Sequence, residues 1–465
     1  MDQGAMKKIS SMFSTLQEKR RSSSDPGVYP AAAPPVGRSH TGQLFFEYLL
    51  VVSLRKKRNE EDYEPHITYQ FPKREVMERL QREEEEKCMK AAHLFCFPEG
   101  INWAPLTEYR SETFSFVLTE VDGSRRNGYC RRLLPAGCGA RVPEAYCIIS
   151  RMACFGLFSK IFDEVEKRRQ ISKAMIYPFM QSLREAPLPS PGNTVSISSF
   201  IPDAGTEIIS LTRPAESWLE HVDFRTLFRC LNDDEVLMVF AATVMERQII
   251  FISEELSTLS QVLHAVAALL YPFVWQHTFI SIVPTVLIDV CAAPTPYLLG
   301  VQKNLLEQLT DHSDVSLTLT PYSLNMSVIN NELNMGDEES LLPAKLKEEL
   351  LSRLSARKHH ASTEELNRLV SEAFLSVFVR SVGHFSQHVR RSASSRRFHK
   401  KSFLKAVEHR SHLNFVKLFI QTQMFDLFIQ EEEAQTFESK ITYNVRGLQN
   451  DKMECSLNVR VTNRF

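Results

Sequence analysis

Glycine is scarce in this chain, with 16 glycines among 465 residues, about half of the roughly 7% that is usual. Loops that hold phosphate groups need glycine because the backbone must approach the phosphate closely. The sequence has no Gly-x-x-x-x-Gly-Lys-Ser/Thr loop, and Gly137-Cys138-Gly139 lacks the third glycine of a dinucleotide-binding fingerprint. A nucleotide-binding enzyme is therefore disfavoured, and this segment is interpreted as a loop.

Signatures of covalent and metal chemistry are missing as well. There is no Gly-x-Ser-x-Gly elbow, no His-Glu-x-x-His motif, and no Cys-x-x-Cys pair among the nine cysteines. Most of these cysteines lie in apolar runs, which is typical of buried thiols in a reducing compartment. His384 and His388 are spaced to share one face of a predicted helix, but no third ligand is near in sequence, which favours an exposed helix face over a metal site.

No long hydrophobic run is free of helix breakers. The best candidate for a membrane span, Thr278–Val301, contains Pro284, Asp289, Pro294 and Pro296. A helix exposed to lipid would not carry this density of breakers and a charge, so buried strands joined by turns are predicted. The net charge of −1 also gives no reason to expect general nucleic-acid binding.

The composition indicates a folded protein of about three domains, since 43% of the residues are hydrophobic and 24% are charged. Residues 1–41 differ, because they are rich in serine and proline. Within them Met6, Ile9, Phe13 and Leu16 fall at near-helical spacing between basic residues. A disordered tail is favoured over a membrane-surface helix or a mitochondrial-type presequence.

Residues 42–190 combine strand patterns with a later helical pattern, which predicts an α+β module built on an antiparallel sheet. The predicted strands are Phe45–Leu54, His66–Phe71, Ala92–Phe97, Thr113–Val121, Asn127–Leu134 and Ala145–Ser150. Asp122-Gly123 is typical of a hairpin turn, and apolar residues at helical spacing begin at Phe155. The proline-rich segment Ala186–Gly192 is interpreted as a linker, followed by two more strands.

Residues 205–345 predict a doubly wound α/β module. Asn232 and Glu235 have the spacing of a capping box, and the short apolar run Gln248–Ile252 suits a buried strand. A helix that is apolar nearly all round follows, and then a strand at Phe279–Val283, which together make a crossover between parallel strands. Leu287–Val290 and Tyr297–Val301 are predicted to add strands. Residues 346–433 are predicted to be helical, and 434–465 form a divergent tail.

Function in open α/β sheets gathers at the carboxyl ends of the strands. After the strand Gln248–Ile252 this rule selects the polar segment from Ser253 to Thr258. Without a catalytic motif, these hydroxyls and carboxylates suit recognition of another macromolecule. Helix capping by Ser253 is an equal alternative.

A basic tract runs from Arg380 to Lys417, with ten lysines and arginines and a single acidic residue, Glu408. Such a loop can be a solvated surface or can contact anionic lipid head groups. Ser392 within it is a candidate site for phosphorylation. The residues selected for membrane contact are Arg390, Arg391, Arg396, Arg397, Lys400 and Lys401.

Several segments of the chain resemble the DENN domain family, and within it the DENN domain-containing protein 2 subfamily. They are FFEYLLVVSL (45–54), YEPHITYQFPKRE (63–75), FCFPEG (95–100), LSTLSQVLHAVAALLYPFVWQHTFISIVP (256–284), APTPYLLGVQ (293–302) and FVKLFIQTQMFDLFIQE (415–431). The resemblance covers about residues 42–433. It implies a longin-like upstream module, a central α/β module and downstream helices, in that order.

The resemblance implies a guanine-nucleotide exchange factor for a Rab GTPase, of the Rab-nine class in late endosome to Golgi traffic. Such a protein works in the cytoplasm or peripherally on endosomal or Golgi membranes, and it needs no catalytic residue, metal or cofactor of its own. A scaffold that binds a GTPase or membrane without promoting exchange is the alternative, and a hydrolase on the α/β module is a third hypothesis.

We place the GTPase contact on five residues of the matching central motif: Glu246, Ser253, Glu254, Ser257 and Ser260. Tyr271, Phe273 and Trp275 are assigned to core packing. Two segments, 314–326 and 439–465, depart from the family pattern. A splice variant or an error in the predicted gene would explain this departure.

Overall fold

A computed structural model describes residues 44–434 apart from the short gaps 57–62, 75–76, 78, 101–102, 120–123, 191, 203–204, 214–221, 306–326, 331–337, 360–361 and 392–395. The predictions for residues 1–41, 314–326 and 439–465 lie outside the described residues. The chain divides into two compact units that meet between Val377 and Phe378.

The first unit begins with a five-stranded antiparallel sheet of order β2-β1-β5-β4-β3. Its strands are β1 (Tyr48–Lys56), β2 (Tyr63–Phe71), β3 (Thr113–Thr119), β4 (Arg125–Leu133) and β5 (Glu144–Ser150). β1 and β5 lie near the centre and are buried along most of their length, which explains their continuous apolar runs. This confirms the predicted antiparallel module.

Three helices belong to this module: α1 (Arg79–Cys96), α2 (Phe155–Ile171) and α3 (Ile176–Glu185). The strand predicted at Ala92–Phe97 was wrong, because its residues up to Cys96 form the last turns of α1. A short apolar run does not separate a strand from the buried face of a helix. On α2 the predicted apolar face is buried, and Tyr129 stacks on Phe158 at 4.2 Å between ring centroids.

After the predicted linker, an antiparallel ribbon is formed by β6 (Thr194–Ile201) and β7 (Gly205–Thr212). The inward side chains Ile197 and Leu211 join the core of the upstream module.

The central module holds a four-stranded sheet of order β11-β8-β10-β9. Its elements are α4 (Phe224–Cys230), α5 (Asp233–Val244), β8 (Gln248–Ser253), α6 (Leu256–Ala268), β9 (Thr278–Ile280), β10 (Tyr297–Gln302) and β11 (Ser327–Asn330). β10 pairs in parallel with both β8 and β9, and β11 is antiparallel to β8. The predicted parallel α/β module is therefore confirmed, with β10 inserted between the two strands of the crossover.

Two local predictions in this module have opposite outcomes. The capping box is present, since Asn232 Oδ1 accepts from Glu235 N at 3.0 Å and Asn232 N donates to Glu235 Oε2 at 2.7 Å. The strand predicted at Leu287–Val290 was wrong, because these residues lie in a 3-10 helix, Thr285–Ala292. Pro284 precedes that helix. Its carbonyl accepts from Leu287 N, and this hydrogen bond forms the first turn of the 3-10 helix.

Hydrogen bonds join the upstream and central modules within the first unit. Ser281 Oγ donates to Ser115 O at 2.8 Å, and Arg125 Nη2 donates to Trp275 O at 3.0 Å. Phe273 and Trp275 are buried, as expected for core packing, and Tyr271 is half-buried.

The helices α7 (Glu338–Leu341), α8 (Ala344–Ser355) and α9 (Thr363–Val382) follow. The predicted apolar stripe of α8, which is Leu346, Leu350 and Leu354, is buried. The boundary between the compact units falls inside α9.

The second unit contains the short strands β12 (Val389–Arg391) and β13 (Arg396–Phe398) and the helices α10 (Lys400–Lys405), α11 (Leu413–Phe419) and α12 (Gln423–Ala434). Phenylalanine rings from these elements pack together, among them Phe403, Phe419 and Phe425. His384 and His388 lie in a 3-10 turn, not on an exposed α-helix, and His384 stacks on Phe403 at 4.3 Å. The exposed helix face expected for them is therefore corrected.

Of the helices in the described ranges, none combines the length and the apolar character needed to cross a bilayer.

Candidate functional site

The carboxyl ends of β8 and β10 meet at one edge of the parallel sheet. The register pairs Ser253 with Gln302, so that Glu254 and Lys303 follow side by side. Lys303 Nζ lies 2.8 Å from Glu254 Oε1, and both side chains are mostly exposed. The hydrogen bond and charge of Lys303 lower the pKa of Glu254. Because an exposed ion pair adds little to stability, a partner can replace it at low cost.

Ser253 shapes the turn that leads from β8 into α6. Its side chain is buried, and its hydroxyl oxygen accepts from Glu255 N at 3.3 Å. Thr258 Oγ1 in the first turn of α6 donates to Glu255 Oε2 at 2.8 Å. Ser253 therefore holds the backbone that carries Glu254 and Glu255.

Ser257 connects this edge to the upstream module. Its backbone N–H donates to Glu112 Oε2 at 3.3 Å, and Glu112 directly precedes β3. Ser260 is fully buried, and its hydroxyl donates to Ser257 O at 3.1 Å. Ser257 thus lies at the surface of the site, whereas Ser260 lies inside the packing of α6.

Glu246 is not brought to this edge. It precedes β8 with a positive φ of 53°, whereas Ser253 ends the same strand. Five steps along β8 alone separate the two ends by about 16 Å. Glu246 Oε2 lies 3.1 Å from His277 Nε2 at the opposite end of the sheet. The assignment of all five residues to GTPase contact stays a prediction, and four of them are near one another.

Gln302 forms the floor of the edge and is more than nine-tenths buried. Its side-chain nitrogen donates to Glu254 O at 3.4 Å and to Glu99 Oε1 at 3.5 Å. Its side-chain oxygen is buried and has no hydrogen-bond partner among the described residues. Buried polar atoms are usually hydrogen-bonded, so this acceptor is an exception in the packing of the edge.

Glu99 is held by a fully buried arginine of β4. Arg132 Nη1 and Nη2 donate to the two oxygens of Glu99 at 2.7 Å each, and Arg132 Nε donates to Cys96 O at 2.9 Å. Loss of hydration lowers the pKa of Arg132, but the charge and hydrogen bonds of Glu99 outweigh this and raise it. The paired geometry fixes Glu99, and Glu99 in turn supports Gln302.

A depression of about 290 Å³ lies beside the start of α6. Its lining residues come from both modules: Arg110, Arg229, Cys230, Glu255 and Thr258. Because two exposed arginines and one carboxylate line it, the depression has a net positive charge.

We use the name composite edge for the buried floor residue Gln302 together with four residues that are at least partly exposed: Glu112, Glu254, Ser257 and Lys303. Glu112, Gln302 and Lys303 were missed by the sequence analysis. The rule of carboxyl strand ends would have selected Gln302 and Lys303 if it had been applied to Tyr297–Val301 as well. No local sequence pattern predicts Glu112, because it is separated from its partner Ser257 by 145 residues.

The side chains of the composite edge are carboxylates, an ammonium, a hydroxyl and an amide, which recognise a partner by charge and hydrogen bonds. In the part of the chain that the structure describes, no three His, Cys, Asp or Glu residues are arranged to hold a metal ion.

The predicted basic loop lies in the second unit. Arg390 and Arg391 belong to β12, Arg396 and Arg397 belong to β13, and Lys400 and Lys401 open α10.

Comparisons with known proteins match three domain families along the chain. The uDENN domain matches residues 65–133, the DENN (AEX-3) domain matches 141–319, and the dDENN domain matches 398–443. The chain is 55% identical over 408 residues to DENN domain-containing protein 2D of Homo sapiens, covering 86% of each chain. The Mus musculus protein of that name matches equally, and DENN domain-containing protein 2B of Homo sapiens is 46% identical over 412 residues, covering 86% of this chain and 36% of that protein.

Proposed function

Because the chain belongs to the DENN family, whose three domains it carries in order, we propose that it promotes GDP release from a Rab GTPase. Members of this family generally act as exchange factors for Rab proteins. The proposal places the GTPase against the composite edge, where its switch segments are held open.

The observation that carries this placement is that the edge combines charged groups from two modules. Glu112 of the upstream module lies against Ser257 at the start of α6, three residues after Glu254 of the Glu254–Lys303 pair in the central module. A partner that spans both modules contacts acidic, basic and amide groups at once. Polar groups of this kind fix the orientation and identity of a partner.

Exchange of this kind needs no covalent step. A protein that binds the nucleotide-free GTPase more tightly than the loaded one weakens nucleotide binding by the same factor, through linkage. A 10⁴-fold weakening requires about 5.5 kcal/mol of differential affinity. A few well-placed contacts in an interface of ordinary size supply this amount.

The finer proposal is that the GTPase is of the Rab-nine class, in traffic from late endosomes to the Golgi. It follows from the subfamily resemblance, and it puts the protein in the cytoplasm and at the surface of those membranes. A panel of Rab proteins loaded with fluorescent GDP tests it, since the fastest release is expected with the Rab-nine class.

Charge reversal at Lys303 tests whether the GTPase binds at the composite edge. Lys303→Glu places two carboxylates together and is expected to slow GDP release at least about tenfold, the effect of roughly 1.4 kcal/mol. Glu348→Lys on α8 changes an exposed charge elsewhere and serves as the control. If GDP release with Lys303→Glu is as fast as with Glu348→Lys, the placement of the GTPase at the composite edge is contradicted.

Two outcomes contradict the function itself. GTPase binding by the parent chain without faster GDP release at any Rab of the panel indicates the scaffold. Esterase activity that disappears in Ser257→Ala indicates the hydrolase.

A further inference from the structure

The ribbon of β12 and β13 brings like charges together in the second unit. Its register sets Arg390 opposite Arg397 and Arg391 opposite Arg396. Residues directly opposite in an antiparallel pair have Cβ atoms about 5 Å apart, and like charges at that spacing are destabilising. The backbone pairing thus holds four arginines where the sequence alone shows only a basic loop.

Two of these arginines have side chains that the structure describes. Arg390 and Arg397 are exposed, and neither forms an ion pair with a residue that the structure describes. The carboxylate of Glu433 lies against the ribbon and accepts from the backbone N–H of Phe398 at 2.6 Å. It therefore satisfies the backbone N–H at the end of β13.

Helix α10 extends the basic surface directly after the ribbon. Lys400 and Lys401 open this helix and are exposed. Residues 390–401 contain six lysines and arginines and no acidic residue. We call these six residues the basic ribbon surface.

We propose that the basic ribbon surface binds the anionic lipid head groups of a membrane. Clusters of four to eight basic residues are typical of contact with phosphatidylserine or phosphoinositides. Successive side chains of a strand point to opposite faces, so Arg390 and Arg397 share one face of the ribbon. A lipid surface supplies many phosphates in one plane, which matches this exposed pair. Bound head groups would also relieve the repulsion across the ribbon.

The surroundings of the ribbon argue against nucleic acid as the occupant. Single-stranded nucleic acid binds where exposed aromatic rings stack on bases. The aromatic residue of the ribbon, Phe398, instead packs on Phe403 and Phe425, with ring centroids 5.2 and 5.9 Å away. The net charge of the whole chain is −1, so the attraction is confined to this surface.

Co-sedimentation of the full chain with lipid vesicles tests the proposal. Binding is expected to vesicles of phosphatidylcholine with added phosphatidylserine, and not to phosphatidylcholine alone. It should weaken as NaCl is raised, because salt screens exposed charges. Each basic residue near such a surface strengthens binding about fivefold, so Arg390→Glu with Arg397→Glu should weaken it at least about 25-fold.

The control reverses the same number of charges elsewhere. Lys56→Glu with Lys345→Glu alters two exposed lysines of the first unit and should leave vesicle binding within about twofold of the parent, because neither lies on the basic ribbon surface. Thermal unfolding followed by circular dichroism should give both double variants the parent midpoint. If the ribbon variant unfolds early, Lys401→Glu alone, an exposed position on α10, replaces it, with an expected loss of at least about fivefold.

Three results would overturn the proposal. The first is equal binding to both kinds of vesicle. The second is parent-like vesicle binding by a folded ribbon variant. The third is binding that fits another ligand better than a membrane. Loss of vesicle binding on adding millimolar inorganic phosphate at constant ionic strength would indicate a discrete phosphate site, and tighter binding to duplex RNA than to vesicles would indicate a nucleic-acid site.

Discussion

Arg132 and His264 show how loss of hydration and a neighbouring charge together decide the charge of a side chain. Arg132 is fully buried, but both oxygens of Glu99 face it, so it stays charged. His264 on α6 packs against Phe279 at 5.2 Å between ring centroids, and the nearby charge is the cation Arg125 of β4. Loss of hydration first, and Arg125 second, lower the pKa of His264 to about 4.

The lowered pKa of His264 predicts a pH-dependent stability of the first unit. Between pH of about 6.5 and 4 the unfolded chain binds a proton at His264 and the folded chain does not. Stability from this residue is therefore complete above pH of about 6.5 and falls as the pH is lowered, by at most about 3 kcal/mol. Urea unfolding at pH 7.5 and at about pH 5 should show a smaller loss in His264→Gln than in the parent.

The comparison isolates His264, because the parent and His264→Gln share all other titrating groups. Equal losses of stability in parent and variant on acidification would contradict a lowered pKa at His264.

Helices and strands with strong patterns were predictable, and short apolar runs were not. The antiparallel strands, the capping box and the apolar stripe of α8 follow from periodicity and local hydrogen bonding. Ala92–Phe97 and Leu287–Val290 are equally apolar, yet the first ends a helix and the second lies in a 3-10 helix. Their structure depends on which surface covers them, and that surface is distant in sequence.

Strand β10 owes its central place to a glycine. A Cβ atom at Gly300 would lie 2.1 Å from Ser281 O, and Gly300 O accepts from Val283 N at 2.7 Å. Gly300→Ala should therefore displace backbone between two parallel strands and destabilise the first unit by about 3 kcal/mol, as overpacking does. The measurement is the free energy of unfolding in urea.

Gly156 provides the matched control for that substitution. It lies in the first turn of α2, and a Cβ atom there meets nothing within 4 Å. Gly156→Ala should leave stability unchanged or raise it by up to about 1 kcal/mol, through helix propensity. Equal effects of the two substitutions would contradict the close approach at Gly300.

At the scale of the whole molecule, separate parts carry separate roles. The composite edge is built within the first unit, from the upstream and central modules. The basic ribbon surface belongs wholly to the second unit. On the proposed functions, GTPase recognition and membrane contact are therefore independent, and each can be removed by substitution without the other.

A whole-molecule prediction follows from linkage. Nucleotide-free Rab in hundredfold excess over its Kd should stabilise the folded chain by about 2.7 kcal/mol, whereas Rab held with GDP and Mg²⁺ should do so far less. Differential scanning fluorimetry of the mixture checks this as a rise in Tm of the exchange factor. The same rise with both forms of Rab would contradict preference for the empty GTPase.

The sequence by itself determined the order of the three modules, the antiparallel and parallel sheets, and the absence of phosphate-loop and covalent-catalysis motifs, because these depend on local patterns. It also placed Ser253, Glu254 and Ser257 at a strand end. Only the tertiary structure decided that Glu112 and Gln302 join them, that Glu246 lies at the far end of β8, and that four arginines oppose one another across a ribbon. These depend on strand register and on contacts over more than a hundred residues, which no local pattern encodes.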